Sequence, residues 1–209
     1  MKKKIILRSE YELKNFFNDN TLRMKKKSYL SFQENLELGS NILFDGNVNL
    51  GKNNRIEDNC NIKELKLGNN NIIKPSSIIQ NSFVSDNVII GPFAFIRENT
   101  QIKRNCIIGA YVEVTRSKIG KQTYASHRTF IGDAIISDNV IIGAGVVFCN
   151  YSFKTNQKEK ITVGNNCKIG SNTVLIAPTR IKSKTIIPAL QKFKNFYLYL
   201  IYFTCFNNI

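Results

Sequence analysis

His127 is the only histidine in the chain. Imidazole is the side chain best suited to proton transfer near neutral pH, so its setting decides which reactions are open. A solitary histidine is as often an incidental core or surface residue, and the residue type alone leaves both readings standing. Arg97 lies upstream of it, and Arg116 and Arg128 bracket it closely. Guanidinium groups gathered near a proton acceptor suit a phosphate-sized anion. A solvated basic face accounts for the same residues equally well. Further on, Asn150-Tyr151 opens a stretch containing Lys154, Lys158 and Lys160, which reads as a binding loop thrown out from a regular scaffold.

The scaffold is visible as aliphatic residues recurring every six positions. Its rungs run from Leu38 through Phe44, Leu50, Ile56, Ile62 and Leu67 to Ile119, resume at Ile131, Ile136, Ile142 and Phe148, and continue from Val163 to Ile187. Many rungs precede glycine, as at Ile90-Gly91, Ile108-Gly109 and Ile142-Gly143. A six-residue period is neither helical nor a simple alternation. It predicts an all-β hexapeptide solenoid, a left-handed parallel β-helix in which each face of a triangular prism is one short strand. Three strands make one coil of about 18 residues, so the rungs supply roughly eight coils. Asn-rich pairs such as Asn53-Asn54, Asp86-Asn87 and Asp138-Asn139 are the expected corners, because Asn tolerates left-handed backbone.

This frame gives the polar residues their places. Arg97 and Thr115 each follow a rung one coil apart, so they are expected to stack on one outer face about 5 Å from each other. Between Ile119 and Ile131 the expected rung falls on Ala125, which reads as a break in the ladder, with His127 pointing outward two positions later. The second break, from Phe148 to Val163, releases Asn150, Tyr151 and the lysines.

Composition narrows the partners. The net charge is +15 over 209 residues, but the lysines are spread along the chain, so a specific nucleic-acid groove is not expected and small phosphorylated ligands fit the charge better. The five cysteines contain no C-x-x-C pair, which argues against a zinc or redox motif, and no metal is expected. Cys60, Cys106 and Cys167 each sit four after a rung, where the repeat places a small inward residue, and reduced core thiols indicate the cytoplasm. Residues 5–7 form too short an apolar run for a signal peptide. The domain reading is a non-repeat segment at 1–35, with Tyr11, Leu13, Phe16 and Phe17 on one side of a short helix, then the solenoid at 36–188 and an aromatic tail at 189–209. The apolar run at 196–206 is too short to span a bilayer. It is expected to cap the prism, with weak membrane-surface contact or packing on a neighbouring subunit as alternatives.

The strings IGPFAFIRENTQI, IGAYVEVTRSKIGK, ASHRTFIGDA, DNVIIGAGVVFCNY and IGSNTVLIAPTRI, between residues 90 and 181, resemble the acetyltransferase domain of the bifunctional bacterial enzyme of UDP-N-acetylglucosamine synthesis. That domain acetylates glucosamine 1-phosphate. With looser likeness upstream, the resemblance covers about three-quarters of the chain, and the family's nucleotidyltransferase domain has no room in the first 35 residues. The resemblance implies acetyl-CoA as co-substrate and His127 as general base, with Glu113 orienting it. It gives Arg97 the sugar phosphate, assisted by Lys158. Asn150 and Tyr151 would contact the acetyl end of the coenzyme and Ser171 its further part. It also implies a homotrimer with sites between subunits.

Three positions depart from the family pattern: Thr115 stands where it has a phosphate-binding Lys (Arg116 is adjacent), Phe130 where it has a sugar-contacting Tyr, and Ile141 where it has a sugar-contacting Asn. The final coils are also absent. These changes keep two alternatives open, an N-acetyltransferase for another amino sugar and a non-catalytic trimeric scaffold. A hexapeptide carbonic anhydrase is excluded, because it requires three histidines.

Overall fold

The computed structural model describes residues 22–25 and 27–194 together with the backbone of 5–7. Among these residues there is no helix, and the strands form a parallel β-solenoid of about ten turns, consistent with the expected left-handed hexapeptide winding. From Ile89 onward, leaving aside the hairpin described below, each strand pairs with the third strand after it, which is what a three-sided prism requires. Ile90 pairs with Ile108 and Ile108 with Ala125 on the first face. Ile96 pairs with Val114 and Val114 with Ile131 on the second. Val84, Ile102, Ile119 and Ile136 stack likewise on the third. All the rungs are buried, so the six-residue period reports a single stacked core.

Ala125 is buried and continues the ladder between Ile108 and Ile142. The expected break there is therefore corrected: a small rung still faces inward and only its volume is reduced. The second interruption is real. Tyr151–Ser152 and Gln157–Lys158 form a two-stranded antiparallel hairpin outside the solenoid. The ladder closes behind it, pairing Ile136 directly with Val163.

The glycines after the rungs have a steric cause. A Cβ on Gly109 would lie 2.1 Å from the Ser126 carbonyl oxygen of the next coil, so only glycine lets the coils close at ladder spacing. Cys60, Cys106 and Cys167 are buried core filler, as their spacing predicts. Their thiols reach the backbone carbonyls of Lys74, Gly120 and Lys182, and burial pushes Cys60 and Cys106 up to about 11, far from a reactive thiolate.

The parallel ladder begins earlier than the boundary at 36. Leu22–Met24 pairs with Leu43 and its neighbours, and Tyr29–Leu38 runs parallel to Ile42–Ile56. Leu22, Leu30 and Phe32 are buried; Leu30 and Phe32 keep the six-residue step to Leu36 and Leu38, whereas Leu22 pairs with Ile42 outside that step. The backbone of Ile5–Leu7 lies antiparallel along Leu36–Leu38, covering part of an otherwise open edge. Lys192–Phe193 pairs in parallel with Val174 and Leu175, adding one strand beyond 188. The helix expected around Tyr11–Phe17 and the apolar run at 196–206 lie outside the described residues.

Candidate active site

The three corners of the prism differ in chemistry. The corner joining the third face to the first carries Asn53, Asn70, Asn87, Asn105, Gln122, Asn139 and Asn166, all with positive φ. These are the amide corners expected from the sequence. The other two corners place bulky or charged residues in the same left-handed backbone: Phe93, Tyr111 and Arg128 where the first face meets the second, and Glu64, Glu98, Arg116 and Asp133 where the second meets the third. Such residues adopt this conformation at a cost of about 1–2 kcal/mol each. Strain of this kind gathers at functional sites. The second face is therefore bounded on both sides by chemically loaded corners.

His127 ends the strand Tyr124–His127 at the first of these corners, and its side chain is exposed. Coil-to-coil hydrogen bonds from Arg128 N to Ala110 O, Gly145 N to His127 O, Asn172 N to Ala144 O and Leu190 N to Ser171 O thread Ala110, His127, Ala144 and Ser171 into one column. Ser171 thus lies two coils from His127 on the same edge, roughly 10 Å away at ladder spacing. One and two coils below His127, Tyr111 and Phe93 stack face to face with ring centres 5.0 Å apart. Small residues around an exposed imidazole leave an open edge along which an extended ligand can lie.

The other corner holds a polar ladder running across four coils. Arg116 grips Asp133 with two parallel hydrogen bonds, Nε to Oδ1 at 2.8 Å and Nη2 to Oδ2 at 2.9 Å. Its Nη1 donates to Glu98 Oε2 and, at 3.0 Å, to Thr115 Oγ1. Thr115 in turn donates to Glu98 Oε2 at 3.2 Å. Arg97 donates to Glu98 through Nη1, and to Glu113 Oε1 through Nη2 at 2.7 Å and Nε at 3.1 Å. Asn150 Nδ2 donates to Asp133 Oδ2 from the coil above. Gly132 makes room for it, since a Cβ there would lie 2.5 Å from Asn150 Nδ2. Burial opposes ionisation of Asp133, but hydrogen bonds from Arg116 and Asn150 and the charges of Arg116 and Lys158 outweigh it and hold the carboxyl below its ordinary value. Glu98 behaves alike: burial is overcome by Arg116, Thr115 and Arg97. The Asp133 contact raises Arg116 above the usual guanidinium value.

Several expected site residues are brought together and others are not. Arg97 and Thr115 do pair across one coil. Thr115 is nevertheless fully buried rather than on an outer face, because Glu98 and Arg116 bond over its hydroxyl. Glu113 sits on the second face in Arg97's grip, and no hydrogen bond joins it to His127 among the described residues. Phe130 follows one coil on from Glu113 in the same column, half-buried. Ile141 lies around the corner on the first face, exposed beside Tyr124. Asn150 is buried with the polar ladder rather than with the His127 column. Tyr151 and Lys158 face each other in the hairpin, with the Tyr151 ring edge-on to Phe153. Glu98 and Asp133 were not singled out by their sequence. Their only advance signal is a charged residue at a position the repeat normally gives to asparagine. Among the described residues no cluster of His, Cys, Asp and Glu is arranged to hold a metal ion.

Residues 81–116 match the family of bacterial transferase hexapeptide (six repeats). Over 167 residues the chain is 41% identical to the bifunctional protein GlmU of Ruthia magnifica subsp. Calyptogena magnifica, an alignment covering 80% of this chain and 36% of that protein. The chain therefore spans about a third of the length of the curated relative it matches. Among solved structures, it is similar to the UDP-N-acetylglucosamine acyltransferase of Francisella novicida (18% identity, covering 78% of this chain and 63% of that one, TM-score 0.41). It is also similar to the corresponding enzyme of Campylobacter jejuni (14% identity, covering 78% and 66%, TM-score 0.35). The repeat match falls within the parallel solenoid.

Proposed function

We propose that this protein is an acetyl-CoA-dependent N-acetyltransferase whose acceptor is an amino sugar. The observation that carries the reading is His127: the chain's one imidazole, exposed at a strained corner, inside the ASHRTFIGDA string of the region similar to GlmU. In this reading the amine nitrogen attacks the thioester carbonyl while His127 takes the amine proton. The new N–C bond forms, the C–S bond breaks, and the coenzyme leaves as a thiolate that is then protonated. No covalent enzyme intermediate is needed, so holding the two substrates in line supplies most of the rate. The His127–Ser171 column carries the coenzyme, and the second face between the two loaded corners carries the sugar. Glucosamine 1-phosphate is the acceptor that the sequence resemblance brings forward, with other amino sugars as the competing class.

A homotrimer completes this reading. The outward residues of the first face form an apolar column, Ile72, Ile89, Ile107, Tyr124 and Ile141. Those of the second are Ile78, Phe95, Glu113, Phe130 and Val147, apolar apart from Glu113, which Arg97 pairs. Apolar columns of this length on adjoining faces favour burial against further copies of the chain. The third face interleaves Lys66, Gln101 and Lys118 with the exposed Phe83 and Ile135, so its column is more polar than that of the first face.

The test is coenzyme-thiol release from acetyl-CoA with a panel of amino sugars and their phosphates. We expect turnover with at least one acceptor and its loss by about 100-fold or more in His127→Ala at unchanged melting temperature. Full activity in that variant would remove His127 from the mechanism. Failure of acetyl-CoA to raise the melting temperature would favour a scaffold.

A further inference from the structure

Building on the acyltransferase reading, we infer that Glu98 fills the anion position of the sugar site, so that the acceptor presents a hydroxyl rather than a phosphate to Arg97 and Arg116. Two guanidinium groups and a hydroxyl converge on one point at the second loaded corner, and the Glu98 carboxylate already occupies that point. Its Oε1 takes the Arg97 bond, and its Oε2 takes those of Arg116 and Thr115. The remaining guanidinium nitrogens are also engaged, Arg97 Nε and Nη2 by Glu113 and Arg116 Nε and Nη2 by Asp133, which leaves two of Arg97's five N–H groups and one of Arg116's for a further acceptor. Two arginines and three carboxylates sum to −1, and Lys158, which acts on Asp133, brings the formal total to zero. A phosphate arriving here meets no net positive charge and has to displace a carboxylate that is held by three donors.

The backbone holds Glu98 in this role. Glu98 and Asn99 are consecutive left-handed residues, with φ of 54° and 59°, the only such adjacent pair of non-glycine residues among those described. Asn99 N is fixed by the Asn81 carbonyl at 2.7 Å, and Thr100 Oγ1 donates to the Arg97 carbonyl at 2.7 Å. The doubled turn directs the carboxylate along the solenoid axis onto the next coil. The Glu98 side chain remains 43% exposed, so a substrate group can meet it from solvent. A sugar hydroxyl donates to a carboxylate and accepts from a guanidinium, so it joins this network without displacing anything.

The experiment compares the full chain with Glu98→Ala and Glu98→Gln, checked for fold by circular dichroism and melting. Calorimetric titration with inorganic phosphate reads the anion site without requiring activity. We expect no saturable binding to the parent protein at millimolar phosphate, and salt-sensitive binding at least about tenfold tighter in Glu98→Ala, with Glu98→Gln between them. In the thiol-release assay the parent should favour glucosamine over glucosamine 1-phosphate by kcat/KM, and Glu98→Ala should shift that ratio toward the phosphate about tenfold. Phosphate binding by the parent that Glu98→Ala leaves unchanged, or a parental preference for the phosphorylated sugar, overturns the inference. If no amino sugar is acetylated by any variant, the acyltransferase reading fails, while the phosphate titration still decides the role of Glu98.

Discussion

Asp133 ties the second loaded corner together, and removing its charge has a predictable cost. Asp133→Ala breaks the two bonds from Arg116, at 2.8 and 2.9 Å, and releases Asn150. Hydrogen bonds to charged groups are worth about 1.5–3 kcal/mol net, and a partner left buried loses more. Arg116 keeps 27% of its side-chain surface in water, so solvent recovers part of the loss and the net cost should settle near 2 kcal/mol. For a chain of this length that is a fall of about 4–8 °C in melting temperature near pH 7. The pH dependence separates this electrostatic cost from a cavity. The folded carboxyl is held below its ordinary value, so its contribution is fully present above the unfolded value of about 3.9 and fades as pH falls through the folded one. Asp133→Asn keeps the shape and loses the charge. The stability gap between it and the parent, measured by urea unfolding, should be about 1–2 kcal/mol near pH 7 and close toward pH 3. A gap that persists unchanged in acid, or none at neutral pH, would refute the argument.

Two further outcomes follow from the packing. Ile107→Glu puts a charge in the middle of the apolar column between Ile89 and Tyr124; light scattering coupled to size exclusion should show the assembly shifted to monomer while circular dichroism stays unchanged. Ile96→Ala empties a fully buried rung between Ile79 and Val114 and should cost about 3–4 kcal/mol in urea unfolding, whereas a loss below about 1 kcal/mol would mean that neighbouring coils collapse into the space.

The core was almost entirely legible in the sequence. From Leu38 to Ile187 the residues read as rungs are buried, because a coil with three short strands repeats its environment every six residues whatever else it carries. The interruption after Phe148 was legible for the same reason, since an insertion shifts the count, but the antiparallel hairpin within it was not. The start of the solenoid was only partly legible. Leu30 and Phe32 keep the six-residue step to Leu36 and Leu38, but the step slips before them, at the buried Leu22. Ala125 misled in the opposite direction, since a small residue in a rung position keeps the ladder intact.

The sequence by itself determined the architecture and which residue we propose as proton acceptor: a period fixes a prism, and one histidine leaves no choice of imidazole. Tertiary structure alone decided what the arginines do. Coil lengths vary irregularly between 17 and 18 residues, as in Ile79 with Ile96 and Ile96 with Val114, so spacing alone does not say which side chains meet at a corner. Stacking places Glu98, Arg116, Asp133 and Asn150 on successive coils. Thr115 goes beneath them, and the pair of cations that the sequence offers to a substrate is already paired within the fold. Side chains far apart in the chain compete for the same donors once a ladder brings them within hydrogen-bonding reach, and that competition is settled only in three dimensions.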